Sequence, residues 1–166
     1  MKTDIIAPYV LRAYAWAVLS TNMPETWNTE LYGGLTPIVP VAEEPELDEF
    51  SGPHIVYGYA EDMTGDLYAR SSGSMTFAVY DNNFRRLGET LNVLKIAFER
   101  QDETARDINR FSTSKGAAFN GLRFGYVRVG FVEGGTPEES EGARQSALIN
   151  ITYEYYVDYD NIVTEV

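Results

Sequence analysis

The chain predicts an α+β fold: one mainly antiparallel β-sheet flanked by helices on one side, with an extended acidic arm. Three observations carry that reading. Helix-like and strand-like periodicities occupy separate stretches of the chain instead of alternating along it. Phe84, Leu87, Leu91, Leu94 and Phe98 recur at intervals of three and four, which lays a continuous apolar stripe along a helix. Ala147, Ile149, Ile151, Tyr153 and Tyr155 alternate with Leu148, Asn150, Thr152, Glu154 and Tyr156, the period of a strand buried on one face.

Taken in order, residues 5–19 read as a short helix that is apolar on nearly every side, with Pro8 accommodated in its first turn and Arg12 its one charge. Such a helix demands burial around more of its circumference than a single sheet offers, so it is either central to the fold or covered by a second subunit. Asn22 and Pro24 end it. Residues 27–50 carry Gly33, Gly34, Pro37, Pro40 and Pro45 and small apolar sets, Trp27 with Leu31 and Tyr32, then Ile38, Val39 and Val41. That stretch is too apolar for a solvated linker and too broken for a helix, and is read as an extended arm or hairpin packing on its own domain or a neighbour. Strands follow at 54–59 and 73–80, an antiparallel pair across a polar turn. The striped helix spans about 83–103, 107–111 forms a short strand or turn, and 112–120 is a loop by composition. Residues 121–132 form a strand in which Gly125 and Gly130 mark a bulge or sharp twist. The segment 133–142 is a polar loop too long for a tight hairpin.

At 166 residues and 44% hydrophobic content the chain can bury one core, so a single domain over 1–166 is expected, with 25–52 as its irregular arm and 133–142 as a protruding loop. Between residues 13 and 69 there is no Lys or Arg, while ten acids fall in that span. The basic residues concentrate in the middle, from Arg85 to Arg128. Two readings of this segregation stand side by side: docking of an acidic arm on a neighbouring body, or ordinary local ion pairs of Arg100, Arg106 and Arg110 with Glu99, Asp102, Glu103 and Asp107. The net charge of -12 opposes sequence-independent grip on a phosphate backbone, yet a negative wall lets a polyanion pass without sticking.

Chemistry is poorly served. There is no cysteine, which excludes disulfides and thiolate catalysis, and the one histidine rules out multi-histidine metal sites. His54 has no nucleophile or substrate partner in any recognisable pattern and is read as structural. The acids Glu43, Glu44, Glu46, Asp48 and Glu49 match no calcium loop and are read as a solvated or ionic surface. Neither Gly33-Gly34 nor Gly134-Gly135 belongs to a phosphate-binding pattern. No catalytic, cofactor or metal-binding residue is assigned, and an enzyme is not expected. No stretch approaches 18 consecutive apolar residues and no cleavable leader is seen, so the expectation is a soluble, unexported protein with no membrane partner. The twelve tyrosines suit sheets and interfaces alike, and both uses stay open.

With these segments in view, the chain resembles the tail terminator and tail completion (neck) proteins of contractile-tailed bacteriophages. The resemblance is carried by PIVPVAEEPELDEFSGPHIVYGY (residues 37–59), by SSGSMTFAVYDNNFRRLGETLNVLKIAFERQDETARDINRF (71–111), and by the two closing strands with their glycine-acid loop. It implies a structural virion protein: a homo-hexameric ring that caps the tail tube and sheath, ends their polymerisation, and presents a surface to the head-side connector. It further implies an acidic lumen through which viral DNA passes without specific binding, and a life divided between host cytoplasm during assembly and the tail or neck of the virion. The arm is the expected sheath or neighbour contact and 133–142 the axial one. Trp27, Tyr32, Phe50 and Tyr155 are the candidate interface anchors, joined by Glu138 and Glu139 on the loop, while Trp16 is expected inside the subunit. A head-tail connector or other neck component is the alternative within the same class. A small acidic enzyme or regulatory binding domain is the alternative outside it.

Overall fold

Helix α1 (Ala7–Asn22) opens the described part of the fold and a 3-10 turn (Thr29–Tyr32) follows it. Strands β1 (Ile38–Pro40), β2 (His54–Met63) and β3 (Ser71–Asp81) come next, then α2 (Phe84–Phe98), α3 (Asp102–Ser114), β4 (Leu122–Gly134) and β5 (Gln145–Val157). The computed structural model describes residues 7–41, 52–63, 70–114, 122–134 and 145–157. The five strands form one sheet in the order β1-β2-β3-β5-β4, antiparallel throughout except for the short parallel pair β1 and β2. The predicted α+β class is what the chain adopts.

Among the described residues the sheet buries its large apolar side chains mainly on one face, while the other face buries His54, Val56 and Asn150. Ile55 and Tyr57 from β2, Phe77 and Val79 from β3, Val127 from β4, and Ile149, Ile151 and Tyr153 from β5 all point into the core. The stripe of α2 supplies Leu87, Leu94 and Phe98 from above, and α3 supplies Ala105 and Ile108. Edge-to-face aromatic contacts tie the helices together, with Tyr14 of α1 set 5.6 Å from Phe98 and 5.5 Å from Phe111. Phe84, the first member of the predicted stripe and the first residue of α2, is exposed.

The nearly all-round apolar α1 gains its cover from α2 and α3 together with the 27–41 stretch: Val10, Leu11, Ala15 and Leu19 are fully buried, and Trp16 is half-buried against the core. Arg12, its one charge, donates Nε to the Ile38 carbonyl at 2.8 Å and thereby holds β1 in place. The described part of the 25–52 stretch folds onto its own chain. Trp27 is completely buried, donating Nε1 to Thr90 Oγ1 at 3.3 Å, and Ile38 is equally buried. The turn between them is built by Asn28, whose side chain accepts from Leu31 N, and closed by Gly33 in the left-handed region at φ 64°.

The predicted helix over 83–103 is shorter at its C-terminal end, and the 107–111 element is helical, not a strand or turn. Residues 112–114, read as loop, continue α3. The reason is a break at Gln101, which sits at φ 49°, after which Asp102 and Glu103 restart a helix with acids at its positive end. Thr104 Oγ1 spans the joint, accepting from Arg100 N at 3.0 Å. The buried face of α3 consists of Thr104, Ala105, Ile108 and Ser112, a helical spacing with a single large apolar member, which is why hydrophobic periodicity understates it. Register shifts occur on both sides predicted, between Phe124 and Tyr126 at Gly125 and between Val129 and Phe131 at Gly130.

Truncation of Trp27→Ala removes the largest buried side chain and its hydrogen bond to Thr90, whose hydroxyl keeps only the Met23 sulfur, so it should destabilise the fold by about 3–5 kcal/mol, read from the midpoint of denaturant unfolding. Unfolding within a few tenths of a kcal/mol of wild type would place that indole outside the core.

Candidate assembly surfaces

On the face away from the helices, pairing aligns Gly58, Ala60, Ser72, Ser74, Thr76, Ala78, Asn150 and Thr152 into rows of small, hydroxyl or amide side chains. No described element covers them. A shallow trough of about 340 Å³ runs here, walled by Val41 and Tyr59 on one flank and by Tyr80 at its end. His54 sits at that end, buried beneath Tyr80 with the rings stacked at 5.1 Å and 12°, a packing role in keeping with its structural reading. Asn150 bridges the rows by donating Nδ2 to Thr76 Oγ1 at 3.1 Å. Gly130 admits it: a Cβ there would lie 2.5 Å from Asn150 Oδ1, so the β4 bulge and this amide require each other.

Charge on this face is balanced. Arg70 pairs with Glu154 at 3.6 Å, Arg128 donates to Thr152 Oγ1 at 3.2 Å and lies 5.3 Å from the centre of the Tyr126 ring, and Arg123 donates to the Leu122 carbonyl. Asp62 and Glu133 share the face by register with Ser72 and Leu148. The described residues contain 12 acids against 10 lysines and arginines, whereas the remaining 13 acids and 3 bases lie outside them. The net negative charge therefore belongs overwhelmingly to segments other than the sheet and helices. On the helical face three cations are answered locally, Arg85 by Glu89 at 3.4 Å, Arg110 by Asp107 at 3.9 Å and Arg100 by Glu103. These exposed pairs contribute little individually.

On the core side, a carboxylate clasp crosses the sheet. Glu61 of β2 accepts from Tyr153 Oη at Oε1 and from Tyr155 Oη at Oε2, each at 2.8 Å. The intervening strand carries Gly73, where a Cβ would meet Tyr153 Oη at 2.7 Å and the Ala60 carbonyl at 2.8 Å. Only the absence of a side chain lets the Tyr153 phenol reach across β3. Burial and then the Glu61 carboxylate push the Tyr155 phenol up to about 12, and the same causes raise Tyr153 further. At the opposite end of β3, Asp81 is buried and takes a two-pronged grip from Arg86, Nε to Oδ2 at 2.7 Å and Nη2 to Oδ1 at 2.8 Å. It also accepts from Asn83 N at 2.9 Å, which fixes the turn into α2.

Tyr32 is half-buried and donates its hydroxyl to the Pro53 carbonyl, with burial pushing its phenol up to about 12. Trp27 and Tyr155 are buried within their own subunit, at 0% and 6% exposure, so what they contribute is the core and the Glu61 clasp. Phe50, Glu138 and Glu139 lie outside the described residues. Of the exposed apolar side chains, Val41, Tyr59, Phe131 and Val132 lie at the two margins of the sheet, while Tyr156 lies on β5 and Tyr9, Phe84 and Ile96 on the helices. The signal available for the four at the margins was positional: each lies at or next to a sheet edge, and edge order is a property of topology. Among the described residues no group of three or more His, Asp or Glu could hold a metal ion, and no helix is long and apolar enough to cross a membrane.

No protein-family model matches the chain, and no curated protein does. A chain in the virion of a native gene transfer agent (GTA) particle is similar in structure, with a TM-score of 0.48 and 13% identity over 95% of this chain and 99% of that one. A likeness this weak fixes neither family nor role.

Removing the clasp with Glu61→Ala should cost about 1–3 kcal/mol and let Tyr155 ionise nearer the ordinary phenol value of 10. Because the Tyr32, Tyr153 and Tyr155 phenols hold their protons more tightly folded than unfolded, the stability they contribute is complete below pH 10 and falls as pH rises toward 12. Tyrosinate absorbance followed against pH should show late-titrating phenols that appear together with unfolding. Free titration of every tyrosine near pH 10 in the folded protein would refute the clasp.

Proposed function

We propose that this chain is a structural subunit of a phage tail, which closes into a homo-hexameric ring on the last tier of the tail tube, ends tube and sheath growth, and offers its far side to the head-side connector. The observation that carries the reading is the one-sided burial of the sheet: a plate with helices on one face and a bare, charge-balanced, hydroxyl-rich surface on the other. Termination needs no bond-making step. A ring matched to the tube below and unmatched above is sufficient, and closed rotational symmetry limits the number of copies because one surface of each subunit meets a different surface of the next.

The bare face is the surface suited to the lumen. Among the described residues its three arginines, Arg70, Arg123 and Arg128, are matched by Glu154, Asp62 and Glu133, so the face offers a passing duplex no net positive charge. Passage then follows from the want of attachment points on a neutral wall; the acidity expected of the lumen resides instead in segments joined to the strand ends. Those segments, including the one bearing Glu138 and Glu139, and the 25–52 stretch with Phe50, are the proposed contacts to tube, sheath and connector. Tyr32 at its half-buried turn is the proposed anchor between them.

Native mass spectrometry at low and high salt, paired with electron microscopy in the presence of tube protein, tests this. The expected result is a closed hexamer that weakens with salt where ionic contacts maintain it, and tubes that stop at a fixed end when the ring is added. Monomers under every condition, with tubes growing unimpeded, would overturn it. Cross-linking confined to a portal-side protein would move the chain to the connector role.

A further inference from the structure

Among the described residues, each margin of the sheet is closed along one part and open along the other, and the open parts are at opposite ends. On the β2 side, β1 pairs only with Ile55, Val56 and Tyr57, and no described residue pairs with that edge from Gly58 onward. On the β4 side, Asn109 of α3 takes both backbone groups of Phe124, donating Nδ2 to its carbonyl at 3.0 Å and accepting from its N–H at 2.8 Å. That is the bonding a neighbouring strand would supply. Beyond it, residues 126–134 have no described neighbour on their outer side. Unpaired strand edges of this length are ordinarily blunted, yet here large apolar side chains stand at both: Tyr59 and Val41 at one, Phe131 and Val132 at the other, from 43% to 59% exposed.

The geometry points to a second copy of this chain as the occupant, with residues 129–134 of β4 adding antiparallel to residues 58–63 of β2 in the next copy. The pairing rests on the proposed ring and supplies its subunit contact. Direction agrees: β2 and β4 run oppositely within the sheet, so copies related by rotation and sharing one orientation bring them together antiparallel. Stagger agrees as well. The closed halves allow contact only if the next copy is displaced along the strands, and displaced strands are tilted to the axis, as closing a sheet into a ring requires. Charge agrees third. Arg128 and Asp62 are both exposed on the bare face, and the staggered register brings them near each other with opposite sign. The contact is head-to-tail, since a different edge is used on each side of a subunit.

The absence of cysteine in the chain allows a direct test. Two single variants, Ala60→Cys and Glu133→Cys, place thiols on exposed positions of the two edges without touching the core. They are co-expressed in one preparation and expressed separately in two others, and each preparation is treated with a short bismaleimide and sized both denatured and by native mass spectrometry. The expected result is a covalent dimer in the co-expressed sample at least tenfold above either variant alone. Cross-linking within a single variant would overturn the head-to-tail pairing in favour of a two-fold one. A hexamer that forms without mixed cross-links would overturn the pairing while leaving the ring intact. Monomers throughout would remove both the pairing and the ring.

Discussion

Burial of the sheet's large apolar side chains mainly on one face is the constraint from which the remaining features follow. The inner residues of β5 lie at its centre, since this strand pairs with both β3 and β4, and Ile149, Ile151 and Tyr153 touch water nowhere. The described helices cover that face, and no described helix covers the other. At about 25 cal/mol for each Å² of apolar surface removed from water, the core side supplies the folding drive, and the small polar residues opposite leave the bare face soluble without a cover. A sheet of this kind can serve as a wall, and its edges can serve as joints.

Polar placements then tune what hydrophobic burial establishes. Glu61 spans three strands through two phenols, and it does so because Gly73 leaves the path open. Asp81 and Arg86 perform the equivalent service at the other end of β3, where strand turns into helix. A buried carboxylate satisfied on both oxygens specifies register more than it adds stability, because a one-residue slip would leave charge without partners. Asn109 is a third instance: a helix side chain that imitates a strand and so decides how much of an edge is available to another chain.

Much of this was legible in the residues. Strict alternation in β5 and the three-four stripe of α2 gave both elements with their buried faces, and Gly125 and Gly130 announced the bulges in β4. Helix α3 was not legible, because Thr104, Ala105 and Ser112 bury well without being strongly apolar, and the break at Gln101 depends on a backbone conformation that composition does not signal. Trp27 and Tyr155 look like surface anchors by residue type, yet each has a distant partner, Thr90 and Glu61, that only the folded chain brings near. The candidate surfaces were missed for the same reason. Val41, Tyr59, Phe131 and Val132 become a set only when β2 and β4 are known to lie toward opposite sides of one sheet.

In the proposed ring, the bare face and open edges, not the helical face, carry the assembly contacts. Amide hydrogen exchange of the free subunit and of the assembled particle tests that claim most directly. The account predicts that protection rises on assembly in residues 58–63 and 129–134 and stays level along the solvent sides of α2 and α3. New protection confined to those helices, with both strand edges exchanging as in the free subunit, would contradict it.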